Sequence, residues 1–183
     1  CQQLKTDKAI SHIPVILLTA RSLDEQRAEG YEHGADAYLS KPFSLRLLLS
    51  RIDNLIESRK KLNQTWSKGV EDDEIGNISN EIDKSFLKQL RKIIQENLAN
   101  SDLSVEQIGD EIGLSRVQLY RKVKALTGYS PVEIVRKARL TRARHLLQTT
   151  ERTVSEVAYA VGFSTPSYFS KCYKDEFGEN PKK

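Results

Sequence analysis

Leu103-Ser104-Val105-Glu106-Gln107-Ile108-Gly109-Asp110-Glu111-Ile112-Gly113-Leu114-Ser115 is the stretch whose reading decides the fold, because its pattern is written twice. The second copy is Thr153-Val154-Ser155-Glu156-Val157-Ala158-Tyr159-Ala160-Val161-Gly162-Phe163-Ser164. Ile108, Ile112, Gly113, Leu114 and Ser115 fall on Val157, Val161, Gly162, Phe163 and Ser164 at a constant offset of 49. Beyond the turn the offset becomes 50: Leu119, Lys124, Gly128 and Pro131 fall on Phe169, Lys174, Gly178 and Pro181. One extra residue after Ser164 accounts for the slip. Each copy reads as a helix, a Gly-apolar-Ser turn and a second helix, the second helices running to Leu126 and to about Phe177. Ser104 with Gln107 makes a capping box for the first of these helices.

The second helix of each copy is apolar on one side. Leu119, Val123 and Leu126 share a face, while Val117, Tyr120, Arg121 and Lys124 share another at i, i+3, i+4, i+7. In the later copy Phe169, Tyr173 and Phe177 face inward, and Ser167, Ser170, Lys171 and Lys174 face outward. A polar stripe alone is ordinarily a solvated face; here two stripes match between two copies. In a helix-turn-helix the first helix braces and the second enters the major groove, which requires this division.

Charge supports that reading. The 183 residues carry a net charge of +4, and residues 81–183 hold 18 Lys+Arg against 13 Asp+Glu, leaving residues 1–80 with 11 against 12. The basic surplus therefore belongs to the repeated half, where it suits a phosphate backbone. With 38% hydrophobic and 30% charged residues the composition is that of a globular protein able to bury one or two cores. Cys1 and Cys172 lie far apart without metal-ligand spacing, which points to a reducing, cytoplasmic compartment. No apolar run reaches membrane-spanning length. The chain has no Met and starts in mid-pattern, so it reads as part of something longer.

Upstream, residues 1–9 read as the end of a helix. Ile13-Pro14-Val15-Ile16-Leu17-Leu18-Thr19-Ala20 reads as a strand buried on both faces. A helix follows from Ser22 to about His33, stopped by Gly34, and Ala37–Ser40 forms a second strand. From Ser44 to about Lys61 a helix buries Leu45, Leu48, Leu49, Ile52, Leu55 and Ile56. This is an α/β crossover unit. Residues 62–80, with Glu71-Asp72-Asp73-Glu74 and Trp66, read as a linker. From Glu81 a helix carries the stripe Phe86, Leu87, Leu90, Ile93, Ile94 and Leu98.

The strand Ile13–Ala20, the segment Gly34-Ala35-Asp36-Ala37-Tyr38-Leu39-Ser40-Lys41-Pro42-Phe43 and the closing helix resemble the C-terminal half of a response-regulator receiver domain. The resemblance implies a flavodoxin-like fragment in which Thr19 is the switch hydroxyl, Tyr38 the switch aromatic and Lys41 a phosphoryl contact, with a cis bond to Pro42. The acidic pair that holds Mg²⁺ and the acceptor Asp of that family would lie upstream of Cys1. Asp7, Asp24 and Asp36 do not fall where they belong. No cofactor is therefore expected in this chain, Mg²⁺ being expected only in a complete receiver. Residues 1–61 are expected to fold poorly alone or to be completed by a neighbouring chain.

The second copy, with Val157-Ala158, Val161-Gly162-Phe163, Tyr168-Phe169, Tyr173-Lys174, Phe177-Gly178 and Pro181, resembles the AraC/XylS family of transcription activators over roughly Phe86–Lys183. The resemblance implies a mainly α fold of two helix-turn-helix units joined by one long helix. Pro131 at a helix start, followed by Val132–Leu147, supplies that helix. A rod of about 25 Å, at ~1.5 Å per residue, holds two reading helices about one DNA turn (~34 Å) apart. By resemblance, base contacts come from Val117, Tyr120 and Arg121, and from Ser167, Ser170 and Lys171. Arg121 suits a bidentate contact to guanine and Val117 a thymine methyl. Arg116, Gln118, Lys124, Thr165 and Lys174 suit phosphates. Pro166 suits the first turn of its helix and removes one backbone donor. The connecting helix is basic too, with Arg136, Lys137, Arg139, Arg142 and Arg144.

The implied function is sequence-specific transcription regulation at the output of a two-component phosphorelay. The implied partners are double-stranded DNA, a second copy of the full-length protein and RNA polymerase. One rival is an enzyme, against which stand the scattered His12, His33 and His145 and the lack of a nucleophile elbow or phosphate loop. The other is a basic helical module that binds an acidic protein partner without DNA sequence preference.

Overall fold

A computed structural model describes residues 1–20, 34–65 and 80–182. Its described contacts divide into two units: Cys1–Leu87 with Arg121–Gly128, and Lys88–Tyr120 with Tyr129–Lys183. Among the described residues the elements are α1 (Gln2–Thr6), β1 (Ile16–Thr19), β2 (Ala37–Ser40), α2 (Leu45–Thr65), α3 (Glu81–Glu96), α4 (Val105–Ile112), α5 (Arg116–Thr127), α6 (Pro131–Thr149), α7 (Val154–Ala160) and α8 (Pro166–Phe177).

In the first unit, β1 and β2 pair in parallel, with Ile16 opposite Ala37 and Thr19 opposite Ser40. Parallel pairing is what a crossover connection demands. The expected helix from Ser22 to His33, most of the linker and Trp66 lie outside the described residues. Two expectations are corrected. The β1 strand is shorter than expected and is not buried on both faces: Ile16, Leu17 and Thr19 are half-buried and Leu18 is exposed. Helix α2 forms where periodicity put it, and runs on to Thr65, but its stripe is uncovered. Leu45 is 68% exposed, Leu49 and Ile56 are exposed, and Leu48, Ile52 and Leu55 are only half-buried. Periodicity fixes which face is apolar; burying it takes an opposing surface, and the described sheet has two strands.

Lys5 organises the start of this unit. Its ammonium pairs with Asp36 at 2.5 Å and donates to the Ile13 carbonyl at 2.9 Å. Asp36 in turn accepts from the Val15 N–H at 2.7 Å.

Helix α3 starts on Asn80, whose side-chain oxygen accepts from the Ile82 and Asp83 amides. Its stripe of Phe86, Leu87, Leu90, Ile93 and Ile94 is buried as the spacing predicts, while Leu98 lies beyond the helix end and is half-buried. Helix α6 has Ser130 as N-cap, Pro131 at its first position and a capping box with Glu133. In the second unit, Leu140, Ala143 and Leu147 of α6 form one core with Val157, Ala158, Val161, Phe163, Phe169, Cys172 and Tyr173. The second brace and the second reading helix are thus packed onto the connecting helix.

Candidate nucleic-acid interface

In the first copy, Ser104 Oγ accepts from the Gln107 amide and Gln107 Oε1 accepts from the Ser104 N–H at 2.8 Å, closing the start of α4. The helix ends at Gly113, whose φ of +79° an L side chain rarely adopts. The Leu114 N–H returns to the Gly109 carbonyl at 2.9 Å. A Cβ on Gly109 would lie 2.6 Å from the Leu114 carbonyl oxygen, so this tight return needs glycine there as well. Ser115 then starts α5, its N–H donating to Gln118 Oε1 at 2.9 Å.

Helix α5 is split as its periodicity predicts. Leu119, Val123 and Leu126 are buried, and Val117, Tyr120, Arg121 and Lys124 are exposed. Val117 and Tyr120 are 57% and 50% exposed. Arg116 is exposed and pairs with Glu106 at 2.9 Å.

The second copy repeats the plan with other residues. Thr153 and Glu156 form the capping box of α7, and Gly162 takes φ +81°. Thr165 caps α8 by accepting from the Tyr168 amide at 3.3 Å, and Pro166 occupies its first position. Ser167, Lys171 and Lys174 are exposed. Ser170 is half-buried, and its hydroxyl donates back to the Pro166 carbonyl at 2.9 Å. Behind them Phe169 meets Phe163 and Tyr173 at centroid distances of 5.2 and 5.6 Å, and Tyr173 meets Phe177 at 4.7 Å. Burial pushes the Tyr173 hydroxyl pKa up.

Sequence reasoning missed Lys122. It lies between the outward Arg121 and the inward Val123, and it is fully buried. Its ammonium donates to Asp83 Oδ1 and Ser11 Oγ, both at 2.6 Å, and to the Lys8 carbonyl at 2.7 Å, while Ser11 donates to Asp83 at 2.7 Å. The ammonium also lies 4.9 Å from the centre of the Phe86 ring. Burial pushes the Lys122 pKa down, and the hydrogen bond and charge of Asp83 push it back up. The only signal in sequence was a lysine at a position whose counterpart, Cys172, falls on the inward side of α8.

For the receiver-like residues, Thr19 and Lys41 are brought together at the carboxyl ends of the strands: the Lys41 N–H donates to the Thr19 carbonyl at 2.6 Å. Tyr38 is buried, Lys41 is exposed, and the Lys41–Pro42 bond is cis. Asp36 sits at the opposite end of β2, paired with Lys5. Among the described residues no group of three or more His, Cys, Asp or Glu side chains could hold a metal ion.

The helix-turn-helix domain family model matches residues 108–183. Over 52% of this chain, the fold matches the C-terminal domain of AraT, a response regulator from Geobacillus stearothermophilus, with 33% identity, a TM-score of 0.50 and 79% of that domain covered. A transcriptional regulator of Chromobacterium violaceum, described as having an AraC-type DNA-binding domain, is likewise 33% identical, with a TM-score of 0.51 over 54% of this chain and 87% of its own. A curated relative, histidine kinase P4 of Formosa agariphila, is 43% identical over 99% of this chain, which spans 13% of that protein. The chain spans between 13% and 49% of the lengths of the first three curated relatives it matches. Two capping boxes and two glycine turns, in copies that α6 joins along the chain, make the C-terminal part a double helix-turn-helix DNA-binding domain. The chain belongs, through this domain, to the AraC-type helix-turn-helix family of transcription regulators. Among the described residues no helix is long and apolar enough to cross a membrane.

Proposed function

We propose that the chain reads a bipartite site in double-stranded DNA and is the output part of a two-component phosphorelay. Residues 1–61 are the C-terminal half of a receiver, 62–80 a connection and 81–183 the reading domain. The observation that carries the reading is the matched pair of outward stripes: Val117, Tyr120 and Arg121 on α5, and Ser167 and Lys171 on α8, each backed by a fully buried ring or leucine. These side chains, with Ser170, meet base edges. Because Ser170 spends its proton on Pro166, it acts there as an acceptor. Arg116, Gln118, Lys124, Thr165 and Lys174 meet phosphates. The Arg116–Glu106 pair is exposed at both ends, so it contributes about 0–1 kcal/mol and yields readily to a phosphate.

The phosphorelay part is supported by the parallel strand pair, by Thr19 and Lys41 at its carboxyl end, and by likeness to one protein named a response regulator and another named a histidine kinase. Phosphorylation upstream would bias the face of Thr19 and Tyr38, favouring a homodimer of the full-length protein and contact with RNA polymerase on the cytoplasmic side.

The test is selection of the full chain on a randomised duplex pool with a salt titration, repeated with Arg121→Ala and Lys171→Ala. We expect an enriched motif with two half-elements about one turn (~10 base pairs) apart, each degraded by one substitution. Binding that is salt-sensitive but unselective, and unchanged in kind by either substitution, would leave only a basic helical surface for an acidic partner.

A further inference from the structure

Arg139 stands near the middle of α6, among the basic residues of the connecting helix. Its guanidinium is engaged within the protein. Nε donates to the Leu98 carbonyl at 3.2 Å, and Nη2 donates to the Asn100 carbonyl. These oxygens belong to the segment after α3, where a helix end leaves carbonyls without intrahelical partners. That segment leads directly into the Ser104 cap of α4. Burial pushes the Arg139 pKa down, as expected for a cation taken out of water by the groups around it.

A third element closes over the same point. Gly162, in the turn between α7 and α8, takes φ +81°, and a Cβ built on it would overlap the Leu98 carbonyl oxygen. That Cβ would also lie 3.1 Å from both Cζ and Nε of Arg139. One guanidinium thus touches the lead-in to the first brace, belongs to the connecting helix, and lies under the turn of the second copy. A rigid planar fork on two carbonyls fixes an angle as well as a distance, which a lysine ammonium does not.

We propose that Arg139 is a positioning residue for operator spacing: its clasp on Leu98 and Asn100, covered by Gly162, fixes the second reading unit against the lead-in of the first. The inference rests on the two-helix reading of DNA proposed above. Two linked modules gain affinity on a bipartite site only when their separation suits both halves, and a loose link spreads that gain over several spacings. Arg139 sets how sharply the domain discriminates between spacings, without touching a base.

The test uses the full chain with Arg139, Arg139→Lys and Arg139→Gln. Each is titrated against the selected duplex, against each half-element alone, and against duplexes whose half-elements are one or two base pairs closer or further apart. The original chain should show one preferred spacing. Both variants should bind each half-element within about twofold of the original and lose roughly tenfold of the preference for the best spacing over its neighbours. Arg139→Lys keeps a phosphate-seeking charge, so its salt slope should stay unchanged while its spacing profile flattens. A wild-type spacing profile in Arg139→Lys overturns the proposal and makes Arg139 a backbone contact. Equal weakening on half-elements and full sites overturns it too, as general loss of structure. If Arg139→Gln melts below the assay temperature, Arg139→Lys carries the comparison. If the original chain recognises neither half-element, it is the two-helix reading that fails, and the flat profile is then common to all three proteins.

Discussion

Helices α5 and α8 set a polar or exposed stripe at matched positions and are held from the inside by unlike chemistry. At matched positions α5 has Lys122 and α8 has Cys172, both buried. Behind α5 stands a charge bound by Asp83, Ser11 and a carbonyl; behind α8 stands a file of rings from Phe163 to Phe177, with Arg144 4.8 Å from the last ring centre. The turns differ as well. Gly109 in the first copy is Ala158 in the second, though both carbonyls accept the same returning N–H. The extra residue of the second copy is Thr165, which follows Ser164 and caps α8, so Ser115 of the first copy is matched by two residues and the outward positions stay in register. The comparison teaches that one helical periodicity can be backed by two different inward solutions. A ring stack tolerates exchange of one apolar group for another; a buried ion pair does not tolerate loss of one member.

The largest contrast should appear at Lys122. Asp83→Ala leaves a buried ammonium short of its counter-charge and should cost about 3–5 kcal/mol in chemical denaturation, whereas Cys172→Ala should cost about 1 kcal/mol. Replacing both charges, as Lys122→Met with Asp83→Leu, should recover most of the loss. Equal costs for Asp83→Ala and Cys172→Ala would erase the contrast. The turns come next. Gly109→Ala drives a Cβ against the Leu114 carbonyl and should cost about 1–3 kcal/mol, while the mirror change Ala158→Gly should cost about 0.5–1 kcal/mol. A Gly109→Ala protein with an unchanged melting temperature would show that the two turns are interchangeable. The caps should show the smallest difference. Ser104→Ala and Thr153→Ala each remove a capping-box acceptor and should each cost about 1 kcal/mol, so an asymmetry between them would locate a further difference between the copies.

Much of this was legible in the residues because helix-turn-helix units are local. Capping boxes, left-handed glycines and i, i+3, i+4 stripes act within a few residues, so Ser104, Gly113, Gly162 and the two faces of α5 could be read directly. What was not legible depends on groups far apart in sequence. Lys122 looks like one more basic residue until Asp83 and Ser11 are beside it. Arg139 looks like one more basic residue of the connecting helix until Leu98 and Asn100 claim its donors. The stripe of α2 was read correctly as apolar and wrongly as covered, because periodicity states what a face wants and not what lies opposite. Ser170 shows the same limit at the scale of one turn: its position is outward, yet its hydroxyl prefers the Pro166 carbonyl.

The uncovered leucines of α2 have a consequence for how the chain behaves in the cold. Apolar association near room temperature is driven by the entropy of water and weakens on cooling. A chain showing Leu45, Leu49 and Ile56 to solvent should therefore be more dispersed on ice than on the bench. Light scattering that rises on warming, well below the melting transition, would be the signature of that bare helix face, and it would vanish with Leu45→Lys and Leu49→Lys.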